Sequence, residues 1–100
     1  MYSTPLEKDF QRKLIRELYE LFPECIVLKN DANYMQGFPD ILILYQNKWA
    51  ALETKRANVS KRQPNQQYYI DHLNNMSFAA YIYPGNKEQV LYELQQTFRS

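Results

Sequence analysis

Residues 37 to 55 read Gly37-Phe38-Pro39-Asp40-Ile41-Leu42-Ile43-Leu44-Tyr45-Gln46-Asn47-Lys48-Trp49-Ala50-Ala51-Leu52-Glu53-Thr54-Lys55, and the division of this stretch decides the fold. Ile41 to Tyr45 is apolar at successive positions, the pattern of a central strand covered on both faces. Asn47-Lys48 is the expected tight turn, which would fold that strand back onto a second one from Trp49 to Lys55. Side chains alternate along a strand, so Trp49, Ala51, Glu53 and Lys55 share one face, while Ala50, Leu52 and Thr54 share the other. A hairpin of this kind brings the carboxylate of Asp40 next to that of Glu53 at one end of the sheet.

Outward from the hairpin, the remaining elements follow from spacing and punctuation. Thr4-Pro5-Leu6-Glu7 is a helix start, with Thr4 as cap, Pro5 at the first helical position and Glu7 closing a capping box. Phe10, Leu14, Leu18 and Leu21 recur at helical spacing until Pro23 ends the run. Cys25 to Leu28 is a short strand, and Asn30 to Pro39 a polar loop. Beyond the hairpin, Arg56 to Arg62 is polar and basic, and Pro64 opens a second helix that buries Ile70 and Leu73 and fades at Asn74-Asn75. Phe78 to Tyr83 is a further strand, Pro84-Gly85 a break, and Asn86 the cap of a last helix carrying Val90, Leu91, Leu94 and Phe98. The order is αβββαβα: an α/β chain of the α+β kind, with a mixed sheet and helices on its faces.

The 100 residues, 45% of them hydrophobic and only 2 of them Gly, suffice for one continuous core, so a single domain over residues 1–100 is expected. With 12 Lys+Arg against 11 Asp+Glu, the formal charge is +1, which gives no global attraction to nucleic acid or membrane; any attraction to DNA must be local. Cys25 is the sole cysteine, which excludes an intrachain disulfide and a Cys/His metal site and fits a reducing, cytoplasmic setting. No segment has the apolar length of a signal peptide or a membrane span.

Two carboxylates brought together at a sheet end call for a cation. Hard oxygen donors suit Mg²⁺ or Mn²⁺, and magnesium is commonly held by one or two carboxylates, with its other positions left to water and phosphate oxygens. That is a layout for phosphodiester hydrolysis. The metal acidifies a bound water, and the ammonium of Lys55 positions that water or offsets charge on the phosphate.

Gly37-Phe38-Pro39-Asp40, then an apolar strand and turn, then Leu52-Glu53-Thr54-Lys55, resembles the motif of the PD-(D/E)XK nuclease superfamily. Within it the chain looks most like the virus-type replication-repair nuclease (VRR-NUC) domain, whose pattern is a Glu on helix one, G-x-P-D, E-x-K and a Gln opening the next helix. The resemblance spans nearly the whole chain and implies a restriction-endonuclease-like αβββαβ core with a C-terminal helix. It makes Asp40 and Glu53 metal ligands, with the carbonyl of Thr54 as a further ligand, and Lys55 the catalytic lysine. It points to Glu7 as the helix-one acid and to Gln66 as the glutamine, with Gln63 and Gln67 as neighbouring choices. It further implies structure-dependent cleavage of DNA by a phage or bacterial enzyme, with branched DNA such as a Holliday junction as substrate and a homodimer as the active form.

Each of these residues also has a plainer reading. Glu-x-Lys occurs in many strands as a solvated ion pair, Pro-Asp is an ordinary turn, and Glu7 is fully explained by helix capping. Lys48, Arg56, Lys61 and Arg62, with Tyr68 and Tyr69, would form a basic, aromatic surface around the motif for phosphates and unpaired bases; the alternative is a solvated face. Lys61 and Arg62 are singled out because they begin the helix beside the site, whose N-terminus attracts phosphate. His72 reads as an ordinary helix residue, Cys25 as a buried thiol, and Tyr34 and Met35 as part of a loop free to touch substrate. The rivals to a branched-DNA endonuclease are another nuclease of the superfamily, acting in restriction, replication or on flaps, and a non-catalytic DNA-binding module of the same fold.

Overall fold

The computed structural model describes residues 5–31, 33–57 and 63–99. Its elements run α1 (Pro5–Leu21), β1 (Ile26–Lys29), β2 (Ile41–Tyr45), β3 (Lys48–Thr54), α2 (Pro64–Met76), β4 (Phe78–Ile82) and α3 (Lys87–Arg99). This is the αβββαβα order read from the sequence, with strand boundaries moved by one residue. The Thr4 cap expected ahead of α1 lies outside the described residues.

The four strands form one mixed sheet in the order β1-β2-β3-β4. β1, β2 and β3 are an antiparallel meander, while β4 runs parallel to β3 after the crossover through α2. The hairpin turn falls at Gln46-Asn47 rather than Asn47-Lys48, because Tyr45 pairs with Lys48 and Gln46 takes a left-handed φ of 57°. A two-residue loop needs such a positive φ to match the twist of its strands.

Two apolar layers sandwich the sheet. On one face α1 and α3 pack Leu14, Leu18, Leu91, Leu94 and Phe98 against Ile41, Ile43, Ala50, Leu52 and Ile82. On the other, α2 sets Ile70 and Leu73 on Ala51, Ala79 and Tyr81, with Phe38, Leu42, Trp49 and Tyr69 at the rim. One helix cannot cover a four-stranded face, and this corrects the reading of β2 as buried on both sides. Ile41 and Ile43 are fully enclosed, but Leu44 is 36% exposed, and Ile26 and Leu28 of β1 are 53% and 47% exposed. β3 is enclosed on both faces from Ala50 to Thr54, where small alanines admit close approach of a helix layer on each side, and β4 contributes to both layers as well.

Asn86 precedes α3 as expected, and its carbonyl accepts from Val90 N–H. Its side chain, however, turns back to β4, accepting from Tyr83 N–H at 2.8 Å and donating to Tyr81 O at 3.0 Å. Cys25 is buried, as its apolar surroundings predict. Among the described residues, no helix is long and apolar enough to cross a membrane.

Candidate active site

The site lies where β2 begins and β3 ends. The register pairs Ile41 with Leu52, so Asp40 and Glu53 stand opposite each other one step further along, and the Asp40 N–H donates to Glu53 Oε1 at 3.2 Å. The approach to Asp40 is fixed by Gly37 and by Pro39, which is fully buried. Gly37 has φ 89°, and a Cβ there would meet the Asn65 side chain at 2.4 Å. Asn65 in turn donates to Gln36 O at 3.1 Å. The glycine therefore lets the loop close onto the first turn of α2, which joins the strand end bearing Asp40 to the helix bearing Gln66.

Asp40 is held from the α1 side. Its Oδ1 accepts from Thr54 N–H at 3.0 Å, and its Oδ2 accepts from Thr54 Oγ1 at 2.5 Å and from Gln11 Nε2 at 3.0 Å. A carboxylate has about four lone-pair positions, and these three donors use two on Oδ2 and one on Oδ1. Burial raises the Asp40 carboxyl above its ordinary range, and the Thr54 and Gln11 hydrogen bonds pull it back toward ionisation.

Glu53, Lys55 and Gln66 are buried side chains on the α2 face. Gln66 joins the other two: its Nε2 donates to Glu53 Oε2 at 3.3 Å, and its Oε1 accepts from Lys55 Nζ at 2.9 Å. The same Oε1 accepts from Gln63 N–H at 3.1 Å, so one side chain satisfies a free donor of the helix start and orients the lysine. Lys55 Nζ lies 3.9 Å from Glu53 Oε2 and 5.9 Å from the centroid of the Tyr81 ring. The Glu53 carboxyl is pushed up to about 8, first by burial and then by the charge of Asp40, with Glu7 adding to the rise and Lys55 opposing it.

Glu7 is half-buried and belongs to the same electrostatic field. Its carboxyl is raised by burial and by Asp40, and lowered by Lys55 and Arg56. Arg56, an exposed residue just past Lys55, thus stands beside the site. Lys48 does not: it opens β3, six residues and roughly 20 Å of extended strand before Thr54, and so lies at the opposite end of the sheet. Lys61 and Arg62 lie outside the described residues. Of the three glutamine side chains considered, Gln66 is the one bonded to Glu53 and Lys55, whereas exposed Gln67 donates to Asp71 at 2.9 Å and accepts from the Tyr81 hydroxyl at 3.3 Å.

Sequence reasoning missed Gln11 and Tyr81. Gln11 follows Glu7 by four residues, so both project from one side of α1, and that spacing was the available signal. Tyr81 is the β4 partner of Glu53, which only the parallel register reveals.

Among the described residues, no group of three or more His, Cys, Asp or Glu side chains is arranged to hold a metal ion. The donor set offered is two carboxylates, Asp40 and Glu53, with oxygen ligation only, which fits magnesium or manganese and not a site of imidazole and thiolate. Comparisons with protein-family models, curated proteins and solved structures find no match to the chain.

Proposed function

We propose that this protein is a magnesium-dependent endonuclease of the PD-(D/E)XK kind that hydrolyses phosphodiester bonds in DNA, with branched DNA as substrate and a homodimer as the acting form. The observation that carries the reading is the adjoining pair Asp40 and Glu53, linked by the Asp40 N–H to Glu53 Oε1 hydrogen bond, with buried Lys55 attached to it through Gln66. Buried Glu53, its pKa raised further by the charge of half-buried Asp40, is poorly stable as an anion beside it, and the two become compatible when a hard cation is bound. An ion bound there would supply an acidified water and a Lewis acid for the phosphate.

The chain's own residues then have distinct tasks. Asp40, kept receptive by Thr54 and Gln11, and Glu53 would hold the ion, and the Thr54 carbonyl would complete the set that the sequence resemblance implies. Lys55 carries an ammonium that cannot be a ligand, so its place is beside the attacking water or the phosphate charge, where Gln66 and the Tyr81 ring hold it. Glu7 and Arg56 lie in the same electrostatic field as Asp40 and Lys55, the first to orient water and the second to meet a neighbouring phosphate. A passive DNA-binding module gains nothing from keeping repelling acids buried beside a lysine, which is the reason for preferring catalysis.

The direct test is incubation of the pure protein with end-labelled linear, flapped and four-way DNA, with Mg²⁺ and with a chelator. Magnesium-dependent cuts near the branch support the proposal. Tight binding with no cleavage in Mg²⁺ or Mn²⁺ would favour the binding module.

A further inference from the structure

A row of rings leaves the site along α2. Phe38, two residues before Asp40, meets Tyr69 edge to face at 5.4 Å; Tyr69 meets Tyr68 edge to face at 5.3 Å; and Tyr68 lies parallel to His72, 5.7 Å between centroids and 16° between planes. The inner end is packed, since Phe38 and Tyr69 border the α2 core. The outer end is open, with Tyr68 60% exposed and His72 exposed.

An exposed parallel pair of this kind is more than spacing requires. Ile70 and Leu73 already anchor α2, and neither Tyr68 nor His72 is needed in either core layer. His72 follows Tyr68 by one helical turn and lies parallel to it, so it backs one face of the tyrosine ring. Both stand on the helix whose first turn brings Gln66 to Glu53 and Lys55. Tyr69, wedged between Tyr68 and Phe38, keeps the outer ring from swinging away.

Resting on the nuclease reading above, we propose that Tyr68, braced by His72 and Tyr69, is a stacking platform for an unpaired nucleobase of the DNA and thereby selects substrates with a branch, flap or single-stranded arm. A paired base inside a continuous duplex has both faces occupied by its neighbours, so only a base released at a discontinuity can use the platform. Stacking on an aromatic ring is tolerant of sequence, because every base has a π face. The platform therefore confers a preference for structure without one for sequence, at a fixed offset from the acids that cut.

The test separates binding from cutting. Wild type and Tyr68→Ala, Tyr68→Phe and His72→Ala variants are titrated in a chelator against DNA carrying 2-aminopurine in an unpaired flap, and against a blunt duplex of the same length. Wild type and Tyr68→Phe should quench the fluorophore and prefer the flap. In Tyr68→Ala the quench should vanish and the preference for the flap should fall by about tenfold or more, the loss expected for one base stack, with His72→Ala intermediate. Circular dichroism checks that the exposed substitutions leave the fold intact. A Tyr68→Ala protein that still quenches, or that keeps the full preference for the flap, overturns the proposal. Because no cleavage is measured, a chain that stacks the base yet never cuts would refute the nuclease reading alone.

Discussion

Gln66 Oε1 stands 2.9 Å from Lys55 Nζ and 3.1 Å from the backbone nitrogen of Gln63, so a single amide oxygen fixes both the buried ammonium and the first turn of α2. Gln66→Leu removes that acceptor and the donor to Glu53 together. A buried group left without its hydrogen bond costs about 1 to 3 kcal/mol, and loss of an orienting residue of this type should lower cleavage by roughly 10 to 100-fold. Gln67→Ala, one position further, exposed and bonded to Asp71 and the Tyr81 hydroxyl, should lower activity far less than Gln66→Leu. Equal losses in the two variants, in parallel turnover and melting measurements, would count against the placement.

Asp40→Asn and Glu53→Gln should abolish cleavage while the far-ultraviolet circular dichroism stays native, because these acids serve charge rather than packing. DNA affinity, measured by anisotropy without metal, should survive in both. Wild-type turnover in Mg²⁺ by either variant would remove the proposal.

The hairpin and its two acids were legible because strand alternation and a short turn are local rules, and because Glu53 and Lys55 lie two residues apart. The half-open face of β2 was not. Whether Leu44 is covered depends on how far α2 reaches across the sheet, a tertiary quantity that an apolar run cannot encode. Lys48 was misplaced for a related reason: it neighbours the motif in sequence, yet seven residues of extended strand carry it to the far end. Gln66 needed the helix register, which distinguishes it from Gln63 and Gln67 only once α2 is docked.

Lys55→Met keeps most of the aliphatic volume beside Tyr81 and removes the ammonium. Cleavage should stop, while Mn²⁺ still binds, since the charge acts on the reacting phosphate and not on the ion. Titration calorimetry with Mn²⁺ on this variant distinguishes the roles. Loss of the binding heat along with activity would place Lys55 in metal retention instead.

A four-way junction is resolved by two nicks on symmetry-related strands, and one chain offers one site. Two-fold dimers are the commonest assemblies and match a two-fold substrate. Sedimentation should therefore give twice the 12.0 kDa chain mass, and heterodimers of wild type with Asp40→Asn should nick only one strand of a junction. A monomer that prefers linear duplex would leave the nuclease and remove the resolvase.

The raised carboxyls also set a pH dependence of stability, whose sign follows from which state holds the protons. Glu53 titrates near 8 when folded against 4.5 when unfolded, so between those values the folded chain retains a proton that the unfolded chain has released. Stability is therefore full below about pH 4.5 and falls as pH rises toward 8, at up to about 1.4 kcal/mol per pH unit for this one group. Asp40 and Glu7 are raised as well and act in the same direction. A divalent ion binds the ionised acids and competes with the protons, so Mg²⁺ should raise the melting temperature more at pH 8 than at pH 5.5. Glu53→Gln should lose much of both effects: its metal-free melting temperature should vary less from pH 5 to 8, and added Mg²⁺ should change it little. A wild-type protein whose metal-free melting temperature is flat across that window, and unmoved by Mg²⁺ at its upper end, would show that Asp40 and Glu53 do not share a buried site of this kind.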